Sequence, residues 1–384
     1  MPLCFEITDL PPEIITHILS FLSHRDLTNV CLSCKMFRDV ALQDCIWQQR
    51  CREDFNFTNN EGWNASYKDV YAKVLHRFGQ TVGLWQAEMS HYGALVHVQF
   101  DEGRIIGRQC MAPVAPHVSD ALRVKTLFTI QFTQDQEDVE IFCHKGFSDP
   151  HKGCLEWKED GSLLFRCTEV EHHQHPEGKQ RTICSVFNKS KLLLMKFLVT
   201  TQLGCNYRMS RLARSPRRSP AVIQPGFFKG TYGGHGIEII QLKYDANGKI
   251  VQGIKITGDP NVPATKISFE VDLSQPIILT SEQQGTVALI EQIDIPELPP
   301  DTDIQRLPPQ AFIVPDDCID RFQNAPRTCR ARFHAKGQIA GHGFSDPSFT
   351  VGHWVVFDEN MFGFLWLKLR SFSVYSRVLE DLWS

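Results

Sequence analysis

Asp9-Leu10-Pro11-Pro12-Glu13-Ile14-Ile15-Thr16-His17-Ile18-Leu19-Ser20-Phe21-Leu22 reads as the first helix of a small helical block. The two prolines suit a first turn, whose N–H groups have no helical partner, and Glu13 sits near the positive end of the helix. Ile14, Ile15, Ile18, Leu19 and Leu22 then recur at helical spacing. After a break at Ser23-His24-Arg25, Asp26 is placed to cap a second helix carrying Leu27, Val30 and Leu32. Lys35-Met36-Phe37-Arg38 opens a third short piece through Leu42, and Trp47 closes the block. A module of roughly forty residues cannot bury this many apolar side chains by itself. Leu10, Pro11, Ile14, Leu19, Leu22, Leu27 and Trp47 are therefore expected to pack on the rest of the chain or to present an apolar face to a partner.

Beyond this block the pattern changes twice. Residues 53–82 read as a helical connector, with Tyr67, Val70, Tyr71, Val74, Leu75 and Phe78 on one apolar face. From about residue 83 the period becomes two. Val96, Val98 and Phe100 alternate with Leu95, His97 and Gln99. Phe128, Ile130 and Phe132, and then Ile267, Phe269, Val271 and Leu273, repeat the pattern. Asp160-Gly161 and Asn247-Gly248 are hairpin turns by composition. Many short antiparallel strands with Gly-rich turns predict a barrel, which leaves no open edges. The expected architecture is α+β: a three-helix block at 5–52, a helical linker at 53–82 and a large antiparallel β-barrel over 83–384. Two segments interrupt it. Residues 211–220 (RLARSPRRSP) form a basic loop in which Ser215 and Ser219 precede prolines, and 295–309 is an extended Pro-rich loop.

Bulk composition narrows the function. The net charge of -4 argues against a nucleic-acid surface. The longest apolar run, 192–199, is too short to span a bilayer, and no targeting segment is visible, so a soluble chain without membrane contact is expected. In that setting thirteen cysteines point to free thiols or metal ligands rather than disulfides. Cys143, His151, Cys167 and His173 are spaced as a C-x7-H-x15-C-x5-H set that would close a tetrahedral zinc shell, with the Asp160-Gly161 turn returning Cys167 beside Cys143. Cys154, His144, His172 and His175 compete for the same roles. No nucleophile elbow, P-loop or HExxH string is present, so a binder rather than an enzyme is expected.

The helical block closely resembles the F-box. The residues that carry the likeness are Leu10-Pro11-Pro12-Glu13-Ile14-Ile15, Ile18-Leu19-Ser20-Phe21-Leu22, Arg25-Asp26-Leu27, Cys31-Leu32-Ser33-Cys34-Lys35 with Phe37, and Trp47. The resemblance implies binding to a Skp adaptor held on a cullin scaffold, with Leu10, Pro11, Ile14, Leu22, Leu27 and Trp47 as the adaptor contacts. The strings at 226–236, 255–264, 339–344 and 371–378 are similar to the F-box only protein 31 family, and the likeness runs from the F-box to the end. Relative to that family the chain lacks a long N-terminal extension, and an acidic insertion is reduced to the loop near 295–309.

The family likeness implies a substrate receptor of a ubiquitin ligase, cytoplasmic and nuclear, that receives the C-terminal ends of its targets. Those targets would be D-type cyclins or proteins ending in a C-terminal amide. It also implies a structural Zn2+ on Cys143, His151, Cys167 and His173. The Gly-rich strings make Lys229, Tyr232, His235, Asp259, Asn261, His342 and Phe344 the candidate substrate contacts, although Asp259 in Gly-Asp-Pro-Asn is also an ordinary turn aspartate. A barrel that binds a small apolar ligand, with the F-box as its output, is the competing reading.

Overall fold

A computed structural model describes residues 7–113, 117–146, 149–173, 196, 206–293, 308–318, 325–380 and 382. The apolar run at 192–199 (Lys196 apart), most of the Pro-rich loop at 295–309, and His175 lie outside the described residues. The chain divides into two compact units. One comprises Met1–Gly83, Val98–Gly107 and Leu127–His144; the other comprises Leu84–His97, Arg108–Thr126 and Lys145–Ser384.

The helical block has four helices rather than three: α1 (Pro12–Ser20), α2 (His24–Cys31), α3 (Lys35–Ala41) and α4 (Asp44–Phe55). Pro12 opens α1 as the sequence indicated. The cap of α2 is Ser23, not Asp26. Its Oγ accepts from the Asp26 N–H at 3.3 Å and donates to the Asp26 carboxylate at 2.7 Å. Asp26 is thus the third residue of the first turn, held by the Ser23 cap rather than serving as it. Trp47 lies within α4, which runs past residue 52 to a left-handed Asn56. The connector forms α5 (Tyr67–Asp69), a π-helical stretch (Val70–Leu75) and α6 (His76–Phe78). The apolar face read from its sequence is buried at Val70, Tyr71, Val74, Leu75 and Phe78. Within the same unit Phe57 meets Phe100 at 5.0 Å and Trp63 meets Phe132 at 6.0 Å, edge to face.

The β region is antiparallel and barrel-forming, but it closes twice. The first barrel is β1 (Gly83–Ala87), β2 (Ala94–Asp101), β3 (Arg104–Met111), β4 (Arg123–Phe132), β5 (Val139–Cys143), β6 (His151–Trp157), β7 (Leu163–Cys167) and β8 (Asn206–Arg211), with β8 pairing back onto β1. The second barrel starts with β9 (Gly226–Thr231), β10 (Ile237–Tyr244), β11 (Ile250–Lys255) and β12 (Ile267–Pro276). After an excursion holding α7 (Val287–Gln292) and the short pair β13 (Gln310–Ala311) and β14 (Thr328–Cys329), it resumes. The closing strands are β15 (Ala331–Gly341), β16 (Ser345–Val356), β17 (Met361–Trp366) and β18 (Ser371–Arg377), and β18 pairs with β9. Period-two patterning could not separate one large barrel from two smaller ones, because it sets which face a side chain takes and not where the sheet closes.

The second barrel is filled by aromatics. Phe228, Phe269, Phe333, Trp354, Phe362, Phe364, Trp366 and Tyr375 form one buried cluster. Gly230 is required beside it, because a Cβ there would lie 2.1 Å from the Tyr375 ring. Both predicted turns are present: Gly161 and Gly248 have φ of 77° and 74°, and Asp245 Oδ1 accepts from Lys249 and Ile250 at 2.8 and 3.0 Å. Outside the lumen, Arg332 is 1% exposed. It donates to His353 Nδ1 at 3.1 Å and to Gln284 Oε1 at 3.0 Å, which pins the excursion to the barrel wall. Burial, then the adjacent Arg332 charge, holds the His353 imidazole well below its usual range.

Candidate functional site

Four ligand-type side chains converge where β5, β6, β7 and a short 3-10 turn (Val170–His173) meet. Cys143, His151, Cys167 and His173 are all buried, and their ligand atoms lie within 4.8 Å of one another. His151 Nε2 is 3.2 Å from His173 Nε2, close to the spacing of about 3.3 Å between two nitrogens of a tetrahedral zinc shell. The other His151 nitrogen, Nδ1, is 3.0 Å from the Asp149 carbonyl. That contact fixes the ring so that Nε2 presents its lone pair inward. Two thiols and two imidazoles facing one point fit a metal ion. The competitors among the described residues are engaged elsewhere: His144 Nε2 bonds Thr129 Oγ1 at 3.0 Å, Cys154 points at Glu156, and His172 stacks on the His151 ring. His172 thus supports a ligand without being one.

A second feature is a cavity of 560 Å3 at one end of the second barrel. Tyr232, His235, Asp259 and Asn261 line it, as do Lys255, Ser268, Trp366, Ser371 and Ser373. Its charged wall is built by the loop after β11. Asp259 Oδ1 accepts from the Asn261 and Val262 N–H groups at 2.7 and 2.9 Å, so the turn role of this aspartate is real. Its Oδ2 lies 2.5 Å from Lys255 Nζ. Lys255, 1% exposed at its side chain, also meets the fully buried Glu238 at 2.7 Å, and its ammonium sits 4.1 Å from the centre of the Tyr232 ring. Lys196 Nζ approaches Glu238 from the other side at 3.4 Å. Burial alone would raise the Asp259 pKa. The Lys255 charge and the hydrogen bonds outweigh it, so the carboxyl is held below its ordinary value and is ionised. His235 Nε2 stands 4.0 Å from Asp259 Oδ1.

The loop that carries Asp259 is itself held by residues 86–93. Gln86 Nε2 donates to the Lys255 and Ile256 carbonyls, each at 3.1 Å. Gly258 N donates to Tyr92 O at 2.7 Å, and Ala264 N to His91 O at 2.9 Å. Gly258 admits no side chain, since a Cβ would fall 2.2 Å from Ala264 N.

The remaining predicted contacts do not line the cavity. Lys229 is buried on β9 with its ammonium on the Asp120 carbonyl at 2.5 Å. His342 and Phe344 sit in the β15–β16 turn, where the Gly343 and Phe344 N–H groups bond the Pro260 carbonyl at 2.9 and 3.0 Å. The backbone of this turn braces the Asp259 loop from outside. Lys255 was missed in the sequence because a lysine on an apolar strand reads as edge polarity. Its signal was its place four residues before Asp259 in Lys255-Ile256-Thr257-Gly258-Asp259.

On the F-box, Pro11 and Ile14 are exposed, and Leu10 and Leu22 are half-buried. Leu27 and Trp47 are interior residues. Trp47 Nε1 donates to Ala41 O at 2.9 Å and its ring packs on Tyr71 at 5.1 Å. They shape the apolar face and are not part of it. Among the described residues, Ile7, Ile18, Phe21, Leu32 and Leu42 are further exposed apolar side chains of this block.

Residues 7–53 match the family model described as F-box-like, and 209–381 match one described as Cyclin D1 binding domain. An F-box followed by a cavity-bearing barrel makes this chain an F-box protein of the substrate-receptor class. F-box only protein 31 of Rattus norvegicus is 34% identical over 431 residues, covering 97% of this chain and 84% of the relative. The Homo sapiens protein of that name is 33% identical over 454 residues, covering 98% and 84%, and F-box only protein 31-B of Xenopus laevis is 32% identical over 440, covering 97% and 84%. The chain belongs to the F-box only protein 31 family.

Proposed function

We propose that the chain is the substrate-recognition subunit of a Skp–cullin–F-box ubiquitin ligase. In this reading its exposed F-box face binds the Skp adaptor, and the cavity of the second barrel receives the C-terminal end of a target protein, which is then ubiquitinated and degraded. The observation that carries it is the cavity itself: a mostly apolar chamber of 560 Å3 with one charged wall, inside the region that matches a cyclin-binding family model. D-type cyclins and proteins ending in a C-terminal amide are the target classes, and the cytoplasm and nucleus are where such a receptor works. The chain supplies no chemistry; it raises the effective concentration of target beside a charged conjugating enzyme. The Lys255–Asp259 wall favours a polar chain end over a purely apolar small ligand. Zn2+ is the metal that two thiolates and two imidazoles hold best as a closed structural site, with Cys143, His151, Cys167 and His173 as its ligands.

Both halves are testable. Ile14→Asp with Phe21→Asp places charge on the exposed face and is expected to abolish co-purification with a Skp adaptor while leaving the melting temperature within a few degrees of wild type. Retained adaptor binding would refute the assignment of that face. For the cavity, an ionised Asp259 favours the N–H donors of a terminal amide and disfavours a carboxylate. Asp259→Asn is therefore expected to narrow the preference between matched peptides ending in amide and in acid by about tenfold, as read by calorimetric titration. An unchanged preference removes Asp259 from the discrimination.

A further inference from the structure

The second barrel is closed, yet one of its strands outruns its neighbour. β16 pairs with β15 along nearly its whole length, from Ser345 opposite Gly341 to Val356 opposite Ala331. On its other side β17 covers only Gly352 to Val356, ending with Trp366 opposite Gly352. Among the described residues, positions 345–351 thus have a strand on one side and none on the other. The outward N–H and C=O groups of this stretch form an unpaired ladder, which is a template for another strand.

This free edge leads to the cavity. Phe349 and Ser348 of β16 pair directly with Gln338 and Ile339 of β15, and both of those line the chamber. The strand that stops short, β17, ends on Trp366, and the turn after it carries Leu369; both also line the chamber. Phe349, Val351 and Leu369 are exposed apolar side chains along this route. Asp346, at φ 45°, and Pro347 blunt the start of this edge, whereas Ser348-Phe349-Thr350-Val351, the part nearest the chamber, carries neither charge nor proline, the usual devices that block strand addition.

We propose that 345–351 is a docking edge for the extended segment immediately upstream of a cavity-bound chain end. This rests on the reading of the cavity as a C-terminus receptor and adds how the rest of the ligand is held. The terminal residue enters the chamber beside Trp366, and the residues before it run out along β16 towards Ser345 as an added strand. A chain whose end lies at Trp366 and whose earlier residues lie towards Ser345 runs parallel to β16. Main-chain pairing along the edge supplies affinity with little demand on sequence, and alternate ligand side chains face Phe349 and Val351 or the other side.

The test uses the full chain with its adaptor and, as probe, peptides of the last fifteen and the last four residues of cyclin D1, the partner named by the matched family model. The long peptide is expected to bind at least tenfold more tightly than the short one. Single backbone N-methylations upstream of the last four residues are expected to weaken it about 3- to 10-fold at every second position and to leave the intervening positions unchanged. Amide exchange at 345–351 is expected to slow with the long peptide and not with the short one. Equal binding of the two peptides, or N-methyl effects without the two-residue alternation, overturns the docking edge and leaves the cavity reading standing. Failure of both peptides and of their amidated forms to bind overturns both.

Discussion

Lys255→Met is expected to destabilise the protein by about 3–5 kcal/mol, the largest effect of any single substitution at the cavity. The methionine fills nearly the same space but leaves Glu238, 0% exposed, and Asp259, 3% exposed, without the ammonium that both contact. Lys196, 3.4 Å from Glu238, and the Asn261 and Val262 N–H groups on Asp259 remain, but losing the nearest buried cation costs more than an ordinary missing contact, because no water replaces it. The triple change Lys255→Met, Glu238→Gln and Asp259→Asn is expected to recover much of that loss, since it removes the orphaned charges together with the cation. Urea denaturation of the full chain measures both. A Lys255→Met midpoint close to wild type would mean that the two carboxylates find other partners and that the charged wall is not built on Lys255. Acid should act in the same direction. Asp259 has a depressed pKa in the folded state, so its stabilising share is fully present above the ordinary carboxylate range and is lost as pH falls through its folded value.

Removing a metal ligand is the second large effect. Cys143→Ser or Cys167→Ser is expected to abolish stoichiometric zinc, and with it on the order of 3 kcal/mol or more of stability, a fraction of what zinc contributes to small fingers. The strands around the cluster have a core of their own, so partial rather than complete unfolding is expected. Elemental analysis paired with thermal melts, with and without a strong chelator, decides the matter. A metal-free wild-type protein whose melt ignores the chelator would show the four side chains to be a buried thiol and imidazole cluster only. His172→Ala is the contrasting variant: it should keep zinc, because that ring stacks on a ligand and does not coordinate.

Much of this was legible in the chain. The helical block could be read because its apolar positions follow one period and its prolines mark one end, and its residue-level likeness then named it an F-box. The zinc set could be read at the level of candidates. Spacing alone left His144 and Cys154 in competition, the family likeness chose Cys143, His151, Cys167 and His173, and the structure adds the physical reason, since Thr129 and Glu156 engage the other two. The expectation failed where the answer depended on closure or on depth. Nothing in an alternating pattern says that β8 returns to β1 and so ends one barrel before another begins. Leu27 and Trp47 belong to the F-box motif, but whether a motif residue faces out or in is decided by packing against Tyr71 and its neighbours. Lys229 and Lys255 look alike in sequence, each a lysine on an apolar strand. Only the fold sends one to the Asp120 carbonyl and the other into the cavity.

The hydrogen bonds that join the Asp259 loop to the Gln86 side chain and to the Tyr92 and His91 carbonyls bear on how the molecule can be divided. The region that matches the cyclin-binding family model begins at 209, well after those residues. The recognition half of this receptor is therefore not a detachable cassette. A fragment cut at the start of that region would keep every strand of the second barrel and lose the clamp that holds Asp259 against Lys255. The pocket is inherited from both barrels, and residues 86–93 are under the same constraint as the side chains that face the ligand.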